Sequence, residues 1–185
     1  MKSRQRKKDW KNEETVLWED LLEGATLAAL NAKRLVDDGR LLHNSKSFPS
    51  AFDLSRLAFQ EMIKSMFFLD KYRKREDITN TCDVFTKHAW KMAAYPQPPP
   101  FLSLSGRHPD SIDDKRWQEL RKAGQEREND RQKSIYVGFS GGRWVSPQNE
   151  DLAIRWPGGS IAMLLNTEAM LERIFSHIAN LAQKT

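Results

Sequence analysis

Along most of this chain apolar residues recur every three or four positions, the period of helices that bury one face. In residues 13–38, EETVLWEDLLEGATLAALNAKRLVDD, this spacing runs through Leu17, Leu21, Ala25, Ala28 and Leu35, and Gly39 is the predicted stop. SFPSAF opens a second helix, with Pro49 tolerated in the first turn, that continues to about Arg75. The second helix is apolar on two sides. One stripe holds Leu54, Leu57, Ala58, Ser65, Phe68 and Leu69, and the other Phe52, Phe59, Ile63 and Phe67. Such a helix belongs in the middle of a bundle, or between a bundle core and a partner. Glu61 falls inside the first stripe, with Lys64 at its edge one turn on, so a carboxylate stands where a leucine would pack better.

A third helix is predicted over residues 81–94. YPQPPPFLSLSGRHP then breaks the pattern with prolines and reads as a surface loop. Residues 111–133 form a heavily charged fourth helix with Trp117, Leu120 and Gly124 inward. IYVGFSGGRWVSPQ alone has strand-like composition, and its paired glycines predict a short hairpin near residues 135–146. WPGGS introduces a last helix from Ile161 to about Gln183, with Ser160 as its N-cap. The fold class is therefore all-α, a helical bundle carrying one small hairpin.

At 185 residues the chain is long enough for one domain with a real core. No apolar run approaches the roughly 20 residues of a membrane span, and no apolar stretch follows the basic start as in a secretory signal. One cysteine, Cys82, excludes an internal disulfide and a cysteine-based zinc site and fits a reducing cytoplasm. The formal charge of +5 suggests a nucleic-acid partner until it is located. MKSRQRKK holds five Lys and Arg and no acid, and the remainder balances 25 basic against 25 acidic residues. Residues 1–11 are expected to form a disordered basic tail, able to add salt-sensitive attraction to RNA, and residues 12–185 a single domain. A nucleic-acid site in the body must be local.

Several polar residues sit where a simple bundle has no need of them. Glu61 and Lys64 lie on the second helix. In FTKHAWK, Phe85, His88 and Lys91 recur at three-residue spacing, which makes His88 and Lys91 helical neighbours. In RQKSIYVG, Arg131 precedes Tyr136 by five positions, about 140° apart on a continuous helix, so the two converge only where the helix ends between them. The remaining histidines, His43, His108 and His177, lack metal-ligand spacing, and SGGRW and PGGS lack the lysine and strand–helix setting of a phosphate-binding loop.

In this order the segments EGATLAALNAKRLVDDGRLL, SFPSAFDLSRLAFQEMIKS, FTKHAWK and RQKSIYVG, followed by Ser146-Pro147, resemble the AbiV family of bacterial abortive-infection proteins, a branch of the HEPN superfamily. The likeness spans roughly residues 19–150. It implies a HEPN-like helical bundle, usually a homodimer whose fourth helices frame a shared cleft. It also implies a role in phage defence by shutting down RNA function or translation, with a phage-encoded protein as a sensible trigger. Many HEPN proteins are endoribonucleases that use neither metal nor cofactor, through an Arg followed four to six residues later by a His. Here Arg131 matches the Arg, but Tyr136 stands at the His. Gln60 replaces the first Glu of a Glu-Glu-x-x-Lys core, and Gly138 stands where relatives are expected to carry Asp.

Metal-free RNA cleavage needs a base for the 2′-OH proton and a cation for the charge that builds on phosphate. Arg131 has the planar fork that suits phosphate oxygens. A tyrosine with an ordinary pKa of about 10 is a poor base, though it can act as an acid or hydrogen-bond a phosphate. His88 is then the candidate base, with Glu61 to orient it and Lys64 or Lys91 to hold phosphate. A different expectation stands beside this one. The same six residues can form a buried polar network that fixes helix register, with Glu61 meeting positive charge from neighbouring helices. A non-catalytic homodimer that docks a phage or translation-associated protein is the functional counterpart of that reading.

Overall fold

The computed structural model describes residues 14–86, 91, 118–119, 122–126, 129, 138–140, 143–145 and 156–183. The basic tail, the proline-rich loop, Trp117, Leu120, His88, His108, Arg131, Tyr136, Ser146 and Pro147 lie outside the described residues. The described elements are β1 (Thr15–Val16), α1 (Leu21–Asn44), α2 (Phe48–Lys74), β2 (Ile78–Thr79), α3 (Asp83–Thr86), β3 (Gly138–Ser140), β4 (Arg143–Val145) and α4 (Trp156–Ala182). A turn of 3-10 helix, Trp18–Asp20, leads into α1. Residues 118–119, 122–126 and 129, within the predicted charged helix, are helical, and Gly124 is buried as expected.

The architecture is all-α. Helices α1 and α2 form an antiparallel hairpin, and α4 packs against both, parallel to α2. Their shared core includes Leu21, Ala25, Ala29, Ala32 and Val36 from α1, Phe59, Met62, Ile63 and Leu69 from α2, and Leu164, Leu171 and Ile174 from α4. The alanines of α1 let α2 approach closely, and Ser65 of α2 donates from its hydroxyl to the Ala25 carbonyl at 2.7 Å across that seam. A helix apolar on two sides was predicted to sit mid-bundle. α2 does so, packing against both α1 and α4.

Three predicted boundaries differ. Gly39 does not stop α1, which runs on to Asn44. It is buried, and a Cβ built on it would lie 2.9 Å from Leu164 Cδ2 and 3.7 Å from Leu54 Cβ. The glycine marks the point where all three helices converge, and close packing offsets its poor helix propensity. Ser160 is not an N-cap, because α4 begins at Trp156 and includes the glycines of WPGGS. Proline is compatible with a first helical turn, and Gly159 admits Phe52, whose Cε2 would come 3.1 Å from a Cβ there. The first predicted helix starts late. Thr15 and Val16 pair instead with Thr79 and Ile78 in an antiparallel ribbon, a long-range contact that overrides the local period.

That ribbon ties the start of α1 to the end of α2. Asp77 accepts from the Trp18 backbone N–H at 2.9 Å, and Asn80 accepts from that of Glu14 at 3.2 Å. Trp18 packs against Tyr72 with ring centroids 5.7 Å apart. Arg75 closes α2 in the left-handed conformation, φ 54°, with its guanidinium carbon 5.3 Å from the Trp18 ring centroid. The hairpin predicted near 135–146 is present: Phe139 pairs with Trp144, and the two strands flank Gly141 and Gly142.

Candidate functional site

Helix α2 is buried round most of its circumference, and its least buried line runs through Leu57, Glu61, Lys64, Phe67 and Lys71. Glu61, placed by its spacing within the apolar stripe, is therefore half-buried on this less enclosed line and not in the core itself. Among the described residues its partner lies on the same helix. Lys64 Nζ donates to Glu61 Oε1 at 2.6 Å, one turn along α2, with the two side chains 22% and 19% exposed. Three-residue spacing brings the groups together on one helical face. The pair is enclosed enough to be ordered and open enough for an arriving anion to compete for the ammonium.

Beside this open line the same helix carries polar residues turned inward. Gln60 is 1% exposed and Arg56 6% exposed, four positions apart, and neither is without a partner. The Arg56 guanidinium carbon lies 4.3 Å from the Phe52 ring centroid, a cation–π geometry. The position where the first glutamate of the Glu-Glu pair was expected is thus enclosed, and a neutral amide costs far less to bury there than a carboxylate. Sequence reading passed over Arg56. The available signal was an arginine inside an otherwise apolar double-faced helix, four residues ahead of Gln60.

Lys91 is buried at 3% exposed, helical, and engaged with a partner, whereas Phe85 at the start of FTKHAWK is 38% exposed. Of the six residues singled out from the sequence, the structure brings Glu61 and Lys64 into contact and encloses Lys91. His88, Arg131 and Tyr136 lie outside the described residues. Gly138 is the first residue of β3, paired with Val145. Among the described residues no three His, Cys, Asp or Glu side chains gather as a metal site, and no helix is long and apolar enough to cross a membrane.

Away from α2, a second polar cluster joins α1 to α4. His43 Nδ1 lies 3.1 Å from the hydroxyl of Ser160, and the His43 ring meets Phe48 edge-on at 5.3 Å. Arg40 forms an ion pair with Glu168. Ser160 is fully buried, so the pairing fixes the register of the two helices and leaves no accessible nucleophile. His177 is half-buried on α4.

No curated protein and no solved structure matches the chain. The family model described as AbiV, of the HEPN class, matches residues 20–152 and so takes in α1, α2, α3, the helical residues of 118–129 and the β3–β4 hairpin. With the ordered motifs and the all-α bundle, that match over most of the chain makes this protein a member of the AbiV family of HEPN abortive-infection proteins.

Proposed function

We propose that this protein is a cytoplasmic antiphage effector that arrests growth of the infected cell by acting on RNA or the translation machinery, with metal-independent RNA cleavage as its chemistry. The observation that carries the reading is the family match over residues 20–152, which contains Glu61, Lys64, His88, Lys91, Arg131 and Tyr136. The half-open Glu61–Lys64 pair on α2 supports it, since an ammonium held at 2.6 Å by a partly exposed carboxylate is positioned to receive phosphate.

In this reading His88 takes the proton of a ribose 2′-OH, and the freed oxygen attacks the adjacent phosphorus. The bond to the 5′ oxygen breaks, the Tyr136 hydroxyl protonates that oxygen, and the products are a 2′,3′-cyclic phosphate and a 5′-OH. Arg131 stabilises the charge on the phosphoryl oxygens. Glu61 orients His88, and Lys64 holds the strand next to the reacting phosphate. A homodimer supplies the cleft, and a phage-encoded protein is the trigger.

The test is incubation of the purified protein with total RNA and tRNA in EDTA, wild type beside Arg131→Ala and His88→Ala. Cleavage by wild type that leaves cyclic-phosphate ends and is lost in both folded variants supports the nuclease. A second reading is favoured by Tyr136 in place of histidine and by Leu27 and Leu30, more than half exposed on α1. In it the protein docks a phage or translation-associated protein without catalysis. Inert wild-type protein in the RNA assay, with growth arrest persisting in both variants, selects docking. The dimer is checked by mass at micromolar concentration, where a strict monomer refutes it.

A further inference from the structure

Three phenylalanine rings form a ladder that begins on the open line of α2 and ends at the surface. Phe67 meets Phe68 edge-on with centroids 6.2 Å apart, and Phe68 meets Phe85 of α3 at 5.4 Å and a 42° tilt. The middle ring is fixed: Phe68 is 5% exposed and seated over Gly24, where a Cβ would lie 3.3 Å from its Cδ2. Phe85 leans on this fixed ring and keeps 38% of its surface in solvent. An aromatic ring held at a defined angle with more than a third of the residue in solvent offers apolar surface preorganised for a flat ligand.

Ammonium groups bracket the ladder. Lys64 stands one turn before Phe67 and Phe68. Lys71 stands one turn after, with its Nζ 5.8 Å from the Phe67 centroid. Along the helix the two lysines are about 10 Å apart. Each is paired with a carboxylate of its own segment, Lys64 with Glu61 and Lys71 with Glu76. Partly exposed pairs of this kind contribute about 1 kcal/mol or less, so a phosphate can displace either carboxylate. Alternating cation and aromatic face is the chemistry that holds an unpaired strand, phosphates on the ammoniums and bases on the rings. A duplex keeps its bases stacked on one another and offers no free base face to Phe85.

From this arrangement we infer that Phe85, supported by Phe68 and flanked by Phe67 and Lys71, is a stacking platform for a base of unpaired RNA beside the Glu61–Lys64 pair. The inference rests on the nuclease reading and specifies its substrate as single-stranded. Phe85 is a positioning residue here, since it orients the strand and takes no part in bond making.

The test is binding of a short fluorescein-labelled RNA, 2′-O-methylated throughout so that it is not cut, alone or annealed to its complement. Wild-type full chain is expected to prefer the single strand, and Phe85→Ala to weaken that binding roughly tenfold or more while leaving duplex binding unchanged. Phe85→Trp, which keeps an aromatic face, is expected to restore it. Lys71→Gln is expected to lower the slope of log affinity against log salt by about 0.7. Leu165→Ser, on the outer face of α4, serves as the unchanged control, and thermal melting confirms that each variant is folded. Equal single-strand affinity for Phe85→Ala and wild type overturns the platform, as does a Phe85→Ala change confined to oligomeric mass, which would place a second copy on the ring. If wild type cleaves RNA and Phe85→Ala binds it normally, the platform alone fails. If wild type binds no RNA at all, the nuclease reading fails with it.

Discussion

Substitution of Gly39 tests whether α1 and α4 truly meet where the structure puts them. In an exposed helix interior, Gly→Ala stabilises by about 1 kcal/mol through backbone entropy. At Gly39 the added methyl would arrive 2.9 Å from Leu164 Cδ2. Ordinary carbon–carbon contact is about 3.5–4.0 Å, so Leu164 or the α4 backbone must retreat by roughly 0.6–1.1 Å. Leu164 is fully buried and cannot swing into solvent. Such overpacking costs about 1–3 kcal/mol, so the propensity gain is outweighed and Gly39→Ala should destabilise by about 1 kcal/mol. In a Leu164→Ala background the clash is gone, and the same methyl partly fills the cavity. There Gly39→Ala should stabilise by about 1 kcal/mol, although Leu164→Ala alone costs about 2–5 kcal/mol. The assay is urea denaturation of all four proteins at unchanged m-value, and the reversal of sign is the signature. If Gly39→Ala stabilises the wild type, or acts equally in both backgrounds, the three-helix convergence at Gly39 is wrong.

Other consequences are simpler to state. Lys64→Ala and Glu61→Gln should each change stability by no more than about 0.5 kcal/mol, because the pair is an intrahelical one on a partly open face. A loss of growth arrest at that small stability cost assigns the pair to function, while a loss above about 2 kcal/mol in denaturation would show a buried register-fixing network instead. Thr167 is fully buried, and its hydroxyl finds no hydrogen-bond partner among the described residues. Thr167→Val should therefore raise stability by about 1 kcal/mol and the melting temperature by about 2–4 °C, and a lowered melting temperature would mean the hydroxyl is satisfied. Asp77→Ala removes the acceptor for the Trp18 N–H. It should cost about 1 kcal/mol and speed amide exchange at residues 15–18 more than in the middle of α1, so uniform exchange would refute a local clasp.

Much of this protein could be read from its sequence because helical burial is written in a local period. The extent of α2, its central place in the bundle, the inward Gly124 and the short glycine hairpin all follow from spacing or turn chemistry. The ordered motifs marked the AbiV family, since they survive as a pattern even where single positions such as Gln60 and Tyr136 depart from it. What sequence could not supply was the identity of the element across each interface. Gly39 and Gly159 look like breakers along the chain. They become helical once Leu164 and Phe52 occupy the space a side chain would have taken. Thr15–Val16 leaves the helical pattern because Ile78–Thr79 offers a strand partner more than sixty residues away. Glu61 looked core-facing and turned out to be half-buried and paired with Lys64 on its own helix. Arg56 and Gln60, by contrast, are buried. A period shows which residues share a face, but only tertiary packing decides which of those faces is covered, because coverage depends on side chains brought from elsewhere in the chain.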